Sequence, residues 1–176
     1  MDDLKQAIAA NDGAYEGNLA FVNYVEGIYV GYKYYETASD VGAISYDEKV
    51  QYPFGYGLSY TTFEQKLENF KDDDKTVSFD VTVTNTGAAL GKETVQIYAQ
   101  TPYTDYDREN GVEKAAVTLV GFGKTTALAP GAAEKVTISV DKRDLASYDA
   151  YGAKTYIMDA GKYYLTAATD AHSAVN

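Results

Sequence analysis

The side chains that could carry out chemistry are few and scattered. His172 is the single histidine, and the chain has no cysteine. A general base needs a partner within hydrogen-bond reach, and a soft metal site needs imidazole or thiolate ligands. His172 has neither nearby in sequence and is read as a surface residue. Asp72-Asp73-Asp74 offers carboxylate oxygens to a hard cation. Three successive acids between strand patterns read more simply as a solvated turn. The run Tyr103-Thr104-Asp105-Tyr106-Asp107-Arg108-Glu109-Asn110 mixes tyrosines with carboxylates, as sugar and calcium loops do. An exposed connection is the plainer reading. A glycosidase needs two carboxylates held across one bond on a rigid scaffold. The acids here fall mostly in turns, and nothing local marks such a pair. Gly55-Tyr56-Gly57 is no phosphate loop, because no Lys-Ser/Thr follows it and no helix begins there. The residues assign no catalytic, cofactor-binding or metal-ligating position.

The elements that would have to position any site are mostly strands. Val77, Phe79, Val81 and Val83 alternate with Ser78, Asp80, Thr82 and Thr84. That period of two predicts a strand with the apolar set inward, since the polar set is costly to bury. Further strands are expected at 63–70, 94–99, 117–122, 136–140, 156–158 and 163–167, with the last two forming a pair. Asn85-Thr86-Gly87 and Leu128-Ala129-Pro130-Gly131 read as turns. Residues 101–114 read as a long polar loop, and 145–149 as a short turn or helix. About seven short strands over roughly 100 residues predict an all-β, immunoglobulin-like β-sandwich with an irregular or short-helical N-terminal extension. In that extension, Leu4, Ile8 and Ala9 suit one helical turn stopped by Asn11-Asp12-Gly13. Residues 27–37 fit a strand or a helix equally well, and 38–51 read as loop.

The most unusual stretch is Tyr52-Pro53-Phe54-Gly55-Tyr56-Gly57-Leu58-Ser59-Tyr60. Two glycines and a proline among large rings make a tight aromatic loop, and a strand pattern follows at once. It reads as the seam between two structural units, with rings plugging the joint. Too much apolar area is gathered there to stay wet, so residues 27–60 are expected to pack on the sandwich.

Bulk properties narrow the partners. The chain has 176 residues, enough for one domain and part of another. Net charge is −11, which disfavours nucleic acid and anionic membrane surfaces. No apolar run is long enough for a membrane span. The 18 tyrosines suit half-buried strand faces, with sugar stacking as the alternative.

Two blocks carry a family resemblance. Glu26-Gly27-Ile28-Tyr29-Val30-Gly31-Tyr32-Lys33-Tyr34-Tyr35-Glu36-Thr37 and Tyr52-Pro53-Phe54-Gly55-Tyr56-Gly57-Leu58-Ser59-Tyr60-Thr61-Thr62-Phe63 resemble the end of the α/β sandwich domain in glycoside hydrolase family 3, the β-glucosidase family. The family usually has Arg-Tyr-Tyr-Asp where this chain has Lys33-Tyr34-Tyr35-Glu36, and Phe where it has Tyr52. Val83-Thr84-Asn85-Thr86-Gly87, Leu119-Val120-Gly121-Phe122 and Asp141-Lys142-Arg143-Asp144-Leu145 resemble that family's fibronectin type III-like domain. The resemblance implies three parts: 1–60 as the tail of an α/β sandwich domain, 61–169 as the fibronectin type III-like domain, and 170–176 as a tail or linker. Asp170 is a candidate helix N-cap at the start of that last part.

The family's nucleophile is an Asp, usually in a Ser-Asp-Trp context. Here Ser39-Asp40 is followed by Val41, and the chain has no Trp. The resemblance therefore implies a non-catalytic accessory piece without cofactor. Its expected partners are the barrel and α/β sandwich of a parent glycosidase, with self-association through an exposed seam. The seam residues it implies are Tyr32, Tyr35, Tyr52, Pro53, Phe54, Gly55, Tyr56, Gly57, Leu58 and Tyr60. A carbohydrate-binding module and an adhesion-type interaction domain are the rival readings, since a fold alone does not define function.

Overall fold

The alternating residues of 76–85 form the central strand of a three-stranded antiparallel sheet in the computed structural model, which describes residues 27–175. This strand, β2 (Thr76–Asn85), lies between β1 (Phe63–Asp72) and β5 (Ala133–Asp141). Val77, Phe79, Val81 and Val83 are all buried, as their parity predicted. In the second sheet β3 (Thr94–Gln100) lies between β4 (Thr118–Lys124) and β8 (Tyr164–Ala168). The inward residues Val95, Ile97 and Ala99 of β3 meet those of β2 and β5, giving one apolar core between the sheets. The molecule is a β-sandwich of fibronectin type III-like form with short helical extensions.

Glycine lets the sheets close along one side. A Cβ on Gly121 would lie 2.9 Å from Ile138 Cγ2, and one on Gly123 would lie 2.6 Å from Val136 Cγ1. Both glycines are on β4 and both neighbours are on β5. Bare backbone therefore lets these strands approach across the sandwich.

Several expectations need correction. The ambiguous stretch after residue 27 is helical: α1 spans Tyr32–Asp40 and begins after Gly31 at φ 60°. The predicted loop 38–51 holds the end of α1 and a second short helix, α2 (Tyr46–Lys49). The predicted loop 101–114 contains α3 (Asp105–Asn110). Thr104 caps α3 reciprocally with Asp107, and Gly111 ends it in the left-handed region. Residues 145–149 split between the end of a 3₁₀ turn (Lys142–Leu145) and strand β6 (Ser147–Asp149).

The expected final hairpin does not form. Strand β7 (Thr155–Ile157) pairs with β6, whereas β8 pairs with β3. Length explains the error: β6 and β7 are three residues each, too short to show a period. The expected turn at Leu4–Ala9 lies outside the described residues.

Candidate functional site

Strand β3 is buried on both of its faces. Tyr98, which points away from the sandwich core, is 0% exposed. A second apolar cluster covers it, formed by Val117, Ala168, Ala171 and Ala174 with Tyr32, Leu119 and Val175 against them. Parts of residues 27–55, with 170–175, thus lie as a layer on the outer face of the β4-β3-β8 sheet. Each fully buried large side chain in such a layer contributes about 1.5–3 kcal/mol.

Polar groups fix the layer in register. The Tyr98 hydroxyl donates to Gln96 Oε1 at 2.7 Å and lies 3.3 Å from the Phe54 carbonyl. Gln96 Nε2 donates to the carbonyls of Gly55 (3.1 Å) and Thr169 (2.9 Å). Gly55 has φ 91°, and a Cβ there would lie 2.7 Å from the Tyr98 hydroxyl, so a close approach as well as the turn calls for glycine. The Ala171 amide donates to the Phe54 carbonyl at 2.8 Å. The Leu119 amide donates to the Tyr32 hydroxyl at 2.9 Å, and the Ala116 amide to Thr37 Oγ1 at 2.9 Å. Burial raises the Tyr32 and Tyr98 hydroxyls above their ordinary pKa, so both stay neutral donors and acceptors.

A buried carboxylate joins the two covering segments. Glu36 on α1 is 1% exposed. Its Oε1 accepts from the Tyr46 hydroxyl at 2.5 Å, and its Oε2 lies 2.9 Å from His172 Nδ1. The His172 ring stacks on Tyr46 with centroids 3.7 Å apart and planes 8° from parallel. Burial, then the bond to Glu36, push the Tyr46 hydroxyl well above its ordinary range. Asp170 organises the turn that carries His172: its Oδ1 accepts from the Ser173 amide at 2.8 Å. His172 is exposed as expected, with 43% of its side chain open, and is also part of a clasp. Sequence reading missed it because Glu36 and His172 are 136 positions apart.

The ten seam residues divide into two groups. Tyr32 stacks on Phe54 at 4.3 Å, and Phe54 and Gly55 bond to the sheet or the terminal turn. The Pro53 carbonyl accepts from Tyr56 within the loop. Tyr35, Tyr52, Tyr56, Gly57, Leu58 and Tyr60 face solvent; Leu58 is 89% exposed and Tyr60 101%. Tyr52 and Tyr56 stack on each other at 5.3 Å. Inner groups hold the layer to the sheet, while an apolar outer surface is left uncovered. Ile28, Val30, Tyr34 and Val41 are also exposed on the same segment.

The stretch 101–114 is anchored rather than loose. Lys114 Nζ donates to the Pro102 carbonyl (2.9 Å), to Asp107 Oδ2 (2.8 Å) and to Asp159. The side chains of Lys114 and Asp107 are 5% and 0% exposed. Burial alone would raise Asp107 and lower Lys114. The Lys114 and Thr104 bonds to Asp107, and the Asp107 and Asp159 bonds to Lys114, override it, so Asp107 lies below its ordinary value and Lys114 above. Asp149 is also buried, accepting from the amides of Tyr151, Gly152 and Ala153 and from the Tyr106 hydroxyl. Led by the Ala153 amide, these donors hold its carboxyl down to about 2. Both carboxylates thus serve structural contacts, with Asp107 Oδ1 left buried beside its bonded Oδ2. Among the described residues no group of three or more acids or histidines is placed to hold a metal ion.

Comparison with known proteins gives consistent matches. Residues 93–171 match the model of a fibronectin type III-like domain. The chain is 42% identical over 155 residues to a β-glucosidase of Ruminococcus albus, covering 86% of this chain and 15% of that protein. It is 41% identical over 162 residues to β-glucosidase A of Butyrivibrio fibrisolvens, covering 82% and 18%. Among solved structures, a β-glucosidase from Paenibacillus barengoltzii superposes with a TM-score of 0.73 at 35% identity, covering 90% of this chain and 17% of that one. The chain thus spans less than a fifth of the length of these relatives.

Proposed function

By homology and by fold the chain belongs with the β-glucosidases of glycoside hydrolase family 3, and on that premise we propose that it braces the catalytic domains of such an enzyme. The fibronectin type III-like domain is a non-catalytic accessory module of these β-glucosidases. In this reading 1–60 is the tail of the neighbouring α/β sandwich domain, 61–169 the accessory sandwich and 170–176 a tail or linker. The seam is then formed by Tyr32, Tyr35 and the loop Tyr52–Tyr60. Its inner groups hold tail to sandwich, and its outer groups meet the rest of the α/β domain.

One observation carries the reading: the layer on the outer face of β4-β3-β8 is fixed from beneath yet bare on top. Contiguous exposed apolar surface rimmed by polar groups marks an interaction site. Leu58 and Tyr60 are too exposed to serve the fold of this chain alone.

The test is activity of the isolated chain on aryl β-glucosides. The expected result is no turnover above buffer. Turnover that disappears when a single acid of this chain is substituted would sink the accessory reading.

A further inference from the structure

Beside the docking layer, and lined in part by its helix α1, lies a cleft. Its volume is about 470 Å³, within the range of about 300–1,000 Å³ usual for small-molecule sites. Three tyrosines from three segments line it: Tyr29 before α1, Tyr103 before α3 and Tyr164 at the start of β8. Asp40, Lys162 and Gln100 stand among them. Tyr103 and Tyr164 are 51% and 52% exposed, so their rings are available. Gln100 and Tyr164 are directly paired across β3 and β8, which puts ring and amide on one face of the sheet.

Part of the wall is held in place within the chain itself. The Tyr29 hydroxyl lies 3.4 Å from the Lys114 carbonyl. The Arg108 guanidinium sits 5.1 Å from the centre of the Tyr103 ring and steadies it. The floor includes Lys114, whose ammonium is committed to Asp107, Asp159 and the Pro102 carbonyl. A site ordered in advance loses little entropy on binding.

The chemistry of these walls selects a class of ligand. Tyrosine rings offer flat apolar area with a hydroxyl at the tip. A pyranose has the matching features, a C–H face and a rim of hydroxyls. Asp40 and Lys162 supply one acceptor and one donor of opposite charge, which suits a neutral ligand with both functions. An anionic ligand is opposed by the net charge of −11. We propose that this cleft is a non-catalytic binding site for a neutral saccharide of one or two pyranose rings. None of its three tyrosines is among the ten seam residues, although Thr37 and Val41 of α1 belong both to its lining and to the docking layer.

The test is an amide-resolved NMR titration of the whole chain with cellobiose, xylobiose and maltose, with glycerol as control. The expected result is saturable shifts at Tyr103, Lys162 and Tyr164 for at least one sugar, with Kd on the order of 1 mM. Tyr103→Ala and Tyr164→Ala should each weaken binding about tenfold. Tyr164→Phe keeps the ring and should keep binding within about threefold. Tyr52→Ala, on the seam, should leave binding unchanged. No shift with any sugar, equal shifts with glycerol, or shifts that survive both alanine variants overturn the proposal. Loss of seam docking with sugar binding intact would count against the bracing role and leave this site standing.

Discussion

At the scale of single residues, buried acids serve as fasteners. Asp149 illustrates the point, with four donors aimed at one buried carboxylate. Its folded pKa of about 2 lies below the unfolded value of about 3.9. The ionised form is therefore favoured by folding. The stabilisation it gives is complete above about pH 4 and is lost as pH falls toward 2. Asp107 is depressed in the same direction and adds to the same window. The urea midpoint should fall steeply between about pH 4 and 2, and Asp149→Asn should flatten part of that slope. An unchanged slope in the variant would show that Asp149 is not a source of the acid sensitivity. Little of this was legible in sequence. A strand face announces itself by alternation, as Val77 to Val83 did. A buried acid announces nothing, because its donors come from turns and from residues such as Tyr106, 43 positions away.

At the scale of elements, legibility followed length. The ten-residue strand β2 was visible in its period and in its turn at Asn85-Thr86-Gly87. The three-residue strands β6 and β7 were not, and the pairing of β8 with β3 was hidden by its distance along the chain. Tyr98 read as an ordinary strand residue, since sequence does not say what covers the outer face of a sheet. Gly123 was expected just past the end of a strand at 117–122, yet β4 runs on to Lys124, and Gly121 and Gly123 together let it approach β5 closely. Gly123→Ala should destabilise the fold by about 1–3 kcal/mol, because the new methyl meets Val136. Val136→Ala in the same chain should recover part of the loss, which thermal or urea melts of the single and double variants would measure. A neutral Gly123→Ala would mean that β4 and β5 do not approach this closely.

At the scale of the whole molecule, an acidic body carries an aromatic outer layer. The two features oppose each other in solution. Net charge of −11 repels copies of the chain, while Tyr52, Tyr56, Leu58 and Tyr60 favour contact. Screening weakens only the first, since the Debye length shrinks from about 10 Å at 0.1 M to about 3 Å at 1 M salt. Sedimentation should therefore show concentration-dependent association that strengthens with salt, and Leu58→Ser with Tyr60→Ser should abolish it. A strictly monomeric chain at high salt would show that the outer layer does not self-associate. The clasp described above has a mechanical consequence as well. The Phe54–Ala171 bond and the Glu36–His172 contact join the first part of the described chain to its last. Tension applied at Gly27 and Val175 would load these bonds together with the Tyr32–Leu119 and Thr37–Ala116 bonds that hold α1 to the sheet. Both ends of the described chain are thus pinned to each other and to β4 or the residues just before it, so a pull would be shared among several short bonds instead of falling on one strand end.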